Sequence, residues 1–358
     1  MAEERDERKD HLWKVAQETD SRMQDIDAPG APVGLDVGTS KIVAARRRGR
    51  SQEIQTASQL NAFIPVPYSK FTQRTLDQNQ VSYFHEGDEL VVYGTATEKF
   101  ANMFNADVRR PMADGVLNPR EKMAMPVIEA ILRDLVPKAS VKGEVLAFSV
   151  PAAMEGKDSE LTYHEATLRG VFEGMGYKAV AINEGLAVIF SELEDENFTG
   201  IGISCGGGMC NATLAYLSIP SIMFSINKGG DFIDRSVGSV VNEHATRVKV
   251  TKEEGFDLTR APRDKFDKAL RIYYEDLVQT LVIALKRSIS RADSLPRSDR
   301  PLPIVLAGGT AKPKGFKDLF ERALKDTSLP IEISGVRMAK DPLAATARGA
   351  LIAALYEK

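Results

Sequence analysis

One short pattern is written twice in this chain. Near the start, Gly34-Leu35-Asp36-Val37-Gly38-Thr39-Ser40-Lys41 carries an apolar run into a small, glycine-containing bend and out again. Far downstream, Ile203-Ser204-Cys205-Gly206-Gly207-Gly208-Met209-Cys210 repeats the run and the bend, and Ser204 stands 168 positions after Asp36 (204 − 36). Each copy reads as a buried strand, a tight hairpin tip and a second strand. A tip of small residues can aim successive backbone N–H groups at an anion. Asp36, on the incoming strand, then stands beside that anion, a place that suits a hydrated Mg²⁺ better than a direct phosphate contact. Read alone, either hairpin is also an ordinary sheet turn.

The flanking pattern repeats as well. The first set is predicted as strands 32–37, 41–45 and 53–61, helix 122–135, strand 144–150, helix 158–175, strand 178–182 and helix 186–193. The second set is strands 199–204, 210–217 and 221–227, a helix to about 243, the long helix 265–292, strand 303–307, helix 316–325, strand 331–334 and helix 342–355. Three strands, helix, strand, helix, strand, helix thus occurs twice. This predicts an α/β protein of two like domains that face each other across a cleft, a favoured place for a ligand. The expected boundaries are 31–183 for the first domain, with a small inserted subdomain at about 62–120, and 184–340 for the second. In the insert, short strands are expected at 81–84 and 90–93 and a loop at 110–116. Residues 341–358 form a connecting helix that packs back on the first domain. Gly185, Ala187, Ala344, Ala345, Ala347 and Gly349 would let two small-residue helices cross closely at the hinge, although an Ala-rich core helix reads the same way.

Composition narrows the classes. A chain of 358 residues, 43% hydrophobic, is too long for one simple core. A net charge of −3 makes no general case for nucleic acid or an anionic membrane as partner. Cys205 and Cys210 make neither a disulfide framework nor a metal spacing, which fits a reducing, cytoplasmic home. No apolar run of roughly 18 residues offers a membrane span, and the charge-dense start does not read as a secretory signal. Residues 1–30 hold nine acids against five bases and read as an acidic, disordered tail. A short helix around Leu12, Trp13 and Ala16 is expected there, with Trp13 to dock the tail on the body or on a partner. Arg46-Arg47-Arg48-Gly49-Arg50 reads as a solvated turn.

Taken together, five segments resemble the actin superfamily, which also holds DnaK-type chaperones and sugar kinases. The chain is most similar to bacterial actin-like proteins of the MreB and MamK kind. The segments are GLDVGTSK (34–41), INEGLAVIF (182–190), ISCGGGMCNATL (203–214), VLAGGTAKPKGF (305–316) and DPLAATARGALIAAL (341–355), in the family's order. RPMADGV (110–116) also resembles MreB-type chains. The likeness covers 33–358 and implies two RNase H-like (actin-like) domains of βββαβαβα pattern around a nucleotide cleft, with ATP or ADP and Mg²⁺ as ligands. No GxxxxGK[ST] motif is present, so a P-loop is not the phosphate grip.

By the same resemblance, Asp36 orients water on Mg²⁺ and Glu184 positions the attacking water; read alone, Glu184 is also an ordinary helix-start acid. Gly38, Thr39, Ser40 and Lys41 form the first phosphate loop, and Ser204, Gly206, Gly207, Gly208 and Met209 the second. Gly229, Gly230 and Asp231 form the ribose-side turn. Lys252 and Glu253 lie in the stretch 249–254 that contacts the nucleoside, with its register open and a charged surface helix as the equal alternative. Gly308, Gly309, Thr310 and Lys312 form the adenosine motif. Relatives begin the second loop with Asp and follow its glycines with Thr; here Ser204 and Met209 stand instead. Serine accepts a hydrogen bond but supplies no negative charge. Loss of one preorganised polar group costs roughly 10²–10³-fold in rate. The implied function is ATP binding with slow hydrolysis and nucleotide-dependent self-assembly into filaments. The alternative is a non-polymerising, monomeric actin-like ATPase or nucleotide-gated regulator. A small-molecule kinase lacks an evident base and acceptor pocket.

Overall fold

The computed structural model describes residues 13–14, 30–49, 53–153, 158–292, 295 and 300–357. Two five-stranded sheets form its two halves. In the first, the spatial order is Lys178–Asn183, Val145–Val150, Val33–Val37, Lys41–Arg47 and Ile54–Leu60. In the second it is Ile333–Met338, Leu302–Ala307, Gly200–Cys205, Cys210–Tyr216 and Ile219–Ile226. Numbered within its own repeat, each sheet reads 5-4-1-2-3. The first three strands form an antiparallel meander, and the fourth and fifth add in parallel to the first. Parallel neighbours need crossover helices, which cover both faces of the sheet. That is why Val145–Val150 and Gly200–Cys205 are buried at every position.

Each sheet has its own core. The first packs Leu35, Ile42, Leu146 and Phe148 against Val127, Ile128 and Ile131 of helix Ala124–Leu135 and Leu168 and Phe172 of helix Asp158–Gly174. The second packs Ile201, Ile203 and Leu306 against Leu270, Tyr274, Leu277 and Leu281 of the long helix Lys265–Arg291, with Phe316 and Phe320 of helix Phe316–Thr327. Asp264 caps the long helix by accepting from the Asp267 N–H, at 2.8 Å.

Between the halves cross helices Glu184–Glu192 and Ala345–Tyr356. The first presses on the second sheet: Gly202 lies so close that a Cβ there would sit 2.2 Å from Gly185 O. The last helix presses on the first sheet: a Cβ on Gly34 would sit 2.2 Å from Ala347 O. The helices meet where a Cβ on Gly349 would fall 1.7 Å from Ala187 O. Gly34 and Gly202 are themselves 168 residues apart, so the duplication extends to the glycine that admits each hinge helix.

The insert is a further sheet, in the order Trp13–Lys14, Tyr83–Glu86, Glu89–Tyr93 and Phe63–Pro67, with helices Lys70–Gln78 and Ala96–Phe104 and a core of Ile64, Leu76, Tyr83, Leu90, Val92 and Phe100. Strand Phe63–Pro67 and both helices are not visible in the periodicity. Helix Lys70–Gln78 buries only Thr72 and Leu76, and its start is set by a Ser69 side chain accepting from Thr72 N–H.

Several expectations change. Trp13–Lys14 is not helical but an antiparallel strand against Tyr83–Phe84; the rest of the expected tail helix lies outside the described residues. The loop at 110–116 contains a small hairpin, Met112–Ala113 with Val116–Leu117. The strand expected at 331–334 runs Ile333–Met338, and the final helix starts at Ala345 rather than 342. Helix Glu184–Glu192 starts two residues early because the Asn183 side chain caps it by accepting from Gly185 and Leu186 N–H. The arginine run is not all solvated turn. Strand Lys41–Arg47 continues into it, and Arg46, 2% exposed, donates to Tyr177 Oη at 2.8 Å and lies 3.9 Å from Glu144.

Candidate functional site

A cavity of about 640 Å³ lies between the two sheets. Its size is that of a small-molecule or cofactor site. The tip Gly38-Thr39-Ser40-Lys41 lines it from the first half, and Ser204 with Gly206-Gly207-Gly208-Met209 from the second. Asp36 and Glu184 lie at its floor, and Gly230, Asp231, Lys252 and Glu253 on the second-domain wall. Gly308, Gly309, Thr310 and Lys312 close the far end. Gly229 does not reach the cavity. It stands behind the second tip, where a Cβ would sit 2.5 Å from Gly207 O and 2.8 Å from Met209 N.

The second tip is held from behind. Gly230 N–H donates to Gly206 O at 3.1 Å and Asp231 N–H to Gly207 O at 2.8 Å. The Thr310 hydroxyl donates to Gly206 O at 2.7 Å, tying the far-end turn to the same loop. Gly308 has φ +91°, and a Cβ there would sit 2.2 Å from Cys205 O. Only glycine fits that turn without strain.

The floor is a pair of buried carboxyls. The Ser149 hydroxyl accepts from Val37 N–H at 3.1 Å and donates to Asp36 Oδ1 at 2.8 Å. Asn211 Nδ2 donates to Glu184 Oε2 at 2.9 Å, while its Oδ1 accepts from Ala152 N–H at 2.9 Å, which sets the amide's orientation. Burial raises Asp36 to about 6, and the Ser149 hydrogen bond pulls partly back. Burial, and then the charge of Asp36, push Glu184 to about 8 against hydrogen bonds from Ser204 and Asn211. Near neutral pH the pair therefore retains a proton.

On the second-domain wall, Lys252 lies in helix Ala245–Gly255 rather than on a solvated face. Its ammonium is 2.6 Å from Asp234 Oδ1 and donates to Gly230 O at 3.2 Å, and both side chains are almost fully buried. Burial raises Asp234 to about 6, and Lys252 opposes the shift. Phe256 and Tyr274 also line the cavity, stacked with ring centroids 5.5 Å apart. This apolar wall lies beside the far-end glycines.

Sequence reasoning missed Ser149, Asn211, Asp234 and the aromatic wall. Asn211 falls inside a segment that drew notice for its glycines, Ser204 and Met209. Ser149, Asp234 and Tyr274 are ordinary strand and helix residues and Phe256 follows a helix end; the partners of all four are non-local. Cys205 and Cys210 are free and buried. Among the described residues no helix is long and apolar enough to cross a membrane.

Two domains of one duplicated pattern, crossed by two helices and closed on a cleft with opposed glycine hairpins, define an actin-like fold. The solved structures agree. A MamK double helical filament matches with a TM-score of 0.69 at 17% identity over 92% of this chain and 99% of that one. MreB5 of Spiroplasma citri bound to AMPPNP matches at 0.64 and 13% identity over 91% and 96%. EutJ, an ethanolamine utilization protein from Carboxydothermus hydrogenoformans, matches at 0.51 and 18% identity over 92% and 93%. A search among curated proteins returned no match. The family model for Volactin matches residues 32–354, and the chain belongs to that family.

Proposed function

We propose that this protein binds ATP with Mg²⁺ in the interdomain cavity, hydrolyses it slowly and assembles into filaments when the triphosphate is bound. The observation that carries the reading is the pair of equivalent hairpin tips facing one cavity from two domains. Gly38 and Gly206 N–H close the two hairpins onto Lys41 O and Met209 O, and the backbone N–H groups of the tips between them grip the phosphates. The turn at Gly308–Thr310 and the Phe256–Tyr274 wall take the nucleoside, with Glu253 and Lys312 at its edge.

The carboxyl pair fits a divalent cation. Burial, and then the charge of Asp36, raise the proton affinity of Glu184, and a cation is the group that relieves this. Asp36 would hold the ion through water, and when bound it neutralises phosphate charge. Glu184, fixed by Asn211, orients water toward the terminal phosphate and can receive its proton. Ser204 supports Glu184 with a hydroxyl but adds no charge, which leaves turnover slow. Among the matched structures, one MamK is a filament, one MreB5 is bound to AMPPNP and another to ADP; these support the reading for this chain.

Sedimentation with Mg²⁺ and ATP, ADP or no nucleotide, followed by electron microscopy of the pellets, tests it. Filaments that pellet with ATP and fall away with ADP are expected. Nucleotide binding without any pellet would move the protein to the monomeric ATPase or regulator class. Absence of nucleotide binding would remove the reading altogether.

A further inference from the structure

The segment 110–116 crosses from the first half of the molecule to the second. Arg110 Nη1 lies 2.8 and 2.7 Å from the two carboxylate oxygens of Asp231 and 3.3 Å from Ser40 Oγ. Ser40 belongs to the first hairpin tip, and Asp231 is bonded through its N–H to Gly207 of the second. The guanidinium therefore sits on the seam between the two tips. Its base is anchored. Arg109 exchanges both backbone hydrogen bonds with Phe63, at 2.9 Å each, and its side chain forks onto Glu121 at 2.6 and 3.0 Å. Beyond it, Gly115 N–H donates to Thr39 Oγ1 at 3.2 Å.

Lys41 is the cation that lines the cavity at the first tip, and Arg110 stands just behind the lining, on Ser40 and Asp231, both of which face the cavity. Asp36, Glu184, Asp231 and Asp234 all face the space where phosphates would lie. Lys252 is already committed to Asp234. Arg110 uses one nitrogen on Asp231 and Ser40; among the described residues its Nε and Nη2 make no hydrogen bond. A guanidinium with a free fork, held at the meeting of two N–H-rich turns, is built for a phosphate.

We propose that Arg110 is a positioning residue for the terminal phosphate of a bound nucleoside triphosphate, and that Asp231 holds it ready. The proposal rests on the nucleotide reading above. The terminal phosphate takes the unused Nε–Nη2 edge while Asp231 keeps Nη1. A diphosphate leaves the Arg110–Asp231 pair as it stands. Arg110 thus separates ATP from ADP in binding.

Calorimetric titration of the full chain with ATP and with ADP, both with Mg²⁺, tests this. Arg110→Ala weakens ATP by roughly 10–100-fold, the range of a charge-assisted fork, and ADP by less than about 3-fold. Arg110→Lys keeps the charge but not the fork and recovers part of the ATP affinity. Equal losses for both nucleotides, or no loss for either, overturns the proposal. If the alanine variant does not fold, an unchanged ATP-to-ADP ratio in Arg110→Lys overturns it too. A wild-type chain that binds neither nucleotide sinks the cleft reading itself, a distinct result from a wild type that binds both and a variant that fails to discriminate.

Discussion

The proton retained by Glu184 makes the stability of the nucleotide-free protein depend on pH in a way that one substitution removes. Glu184 is pushed from an ordinary 4.5 to about 8. The folded chain thus binds this proton more tightly than the unfolded chain does. The stability it contributes is complete below the unfolded value of 4.5, erodes as pH rises, and is lost once pH passes the folded value of about 8. At ~1.4 kcal/mol per tenfold change in proton affinity, a shift of that size bounds the loss at roughly 5 kcal/mol. Only the part of that loss between about pH 5 and about pH 8 is sampled, so about 3 kcal/mol is expected. Glu184→Gln has no carboxyl to ionise, and its amide oxygen still accepts from Asn211. Urea unfolding across this range, without nucleotide or Mg²⁺, is the assay. The wild type loses about 3 kcal/mol more than the variant on going to the higher pH, and the variant is the more stable protein there. Parallel stability curves, or a variant less stable than wild type at about pH 8, would refute the claim that this carboxyl is protonated in the native cleft.

Ser204→Asp supplies the acid that the family resemblance implies at this position, and ATP turnover at saturating Mg²⁺ is expected to rise by about 10²-fold; a phosphate-release assay showing no increase removes Ser204 as a limit on turnover. At the helix crossing, Gly349→Ala puts a methyl 1.7 Å from Ala187 O, a backbone atom that cannot swing away. Calorimetric unfolding shows a loss of about 2–3 kcal/mol or more, whereas Gly335→Ala, where nothing lies within 4 Å, stays within about 0.5 kcal/mol. Equal effects at the two glycines would mean that the crossing tolerates a wider spacing than the structure shows.

The duplicated fold was legible because both periodicity and glycine placement are local properties. Asp36 and Ser204, Gly38 and Gly206, and Gly34 and Gly202 all share the 168-residue offset, and each copy had to solve the same backbone problem. A strand needs a glycine where a helix lies against it, and a tip needs small residues where it must turn toward an anion. Those requirements are written residue by residue, so the hairpins follow from the chain alone, while the helix crossing and most of the cavity lining were assigned through the family resemblance.

Partnership was decided by tertiary structure. Ser149 meets Asp36 across 113 residues, and Arg110 meets Asp231 across 121. Asn211 reaches Glu184 only because sheet register carries its strand past the start of a hinge helix. The same holds for Arg46, a charge that belongs to a surface run by sequence and to Tyr177 and Glu144 by structure. A side chain's hydrogen-bond partner, its burial and hence its proton affinity depend on what other segments bring within about 3 Å of it, and a local pattern carries no information about that distance.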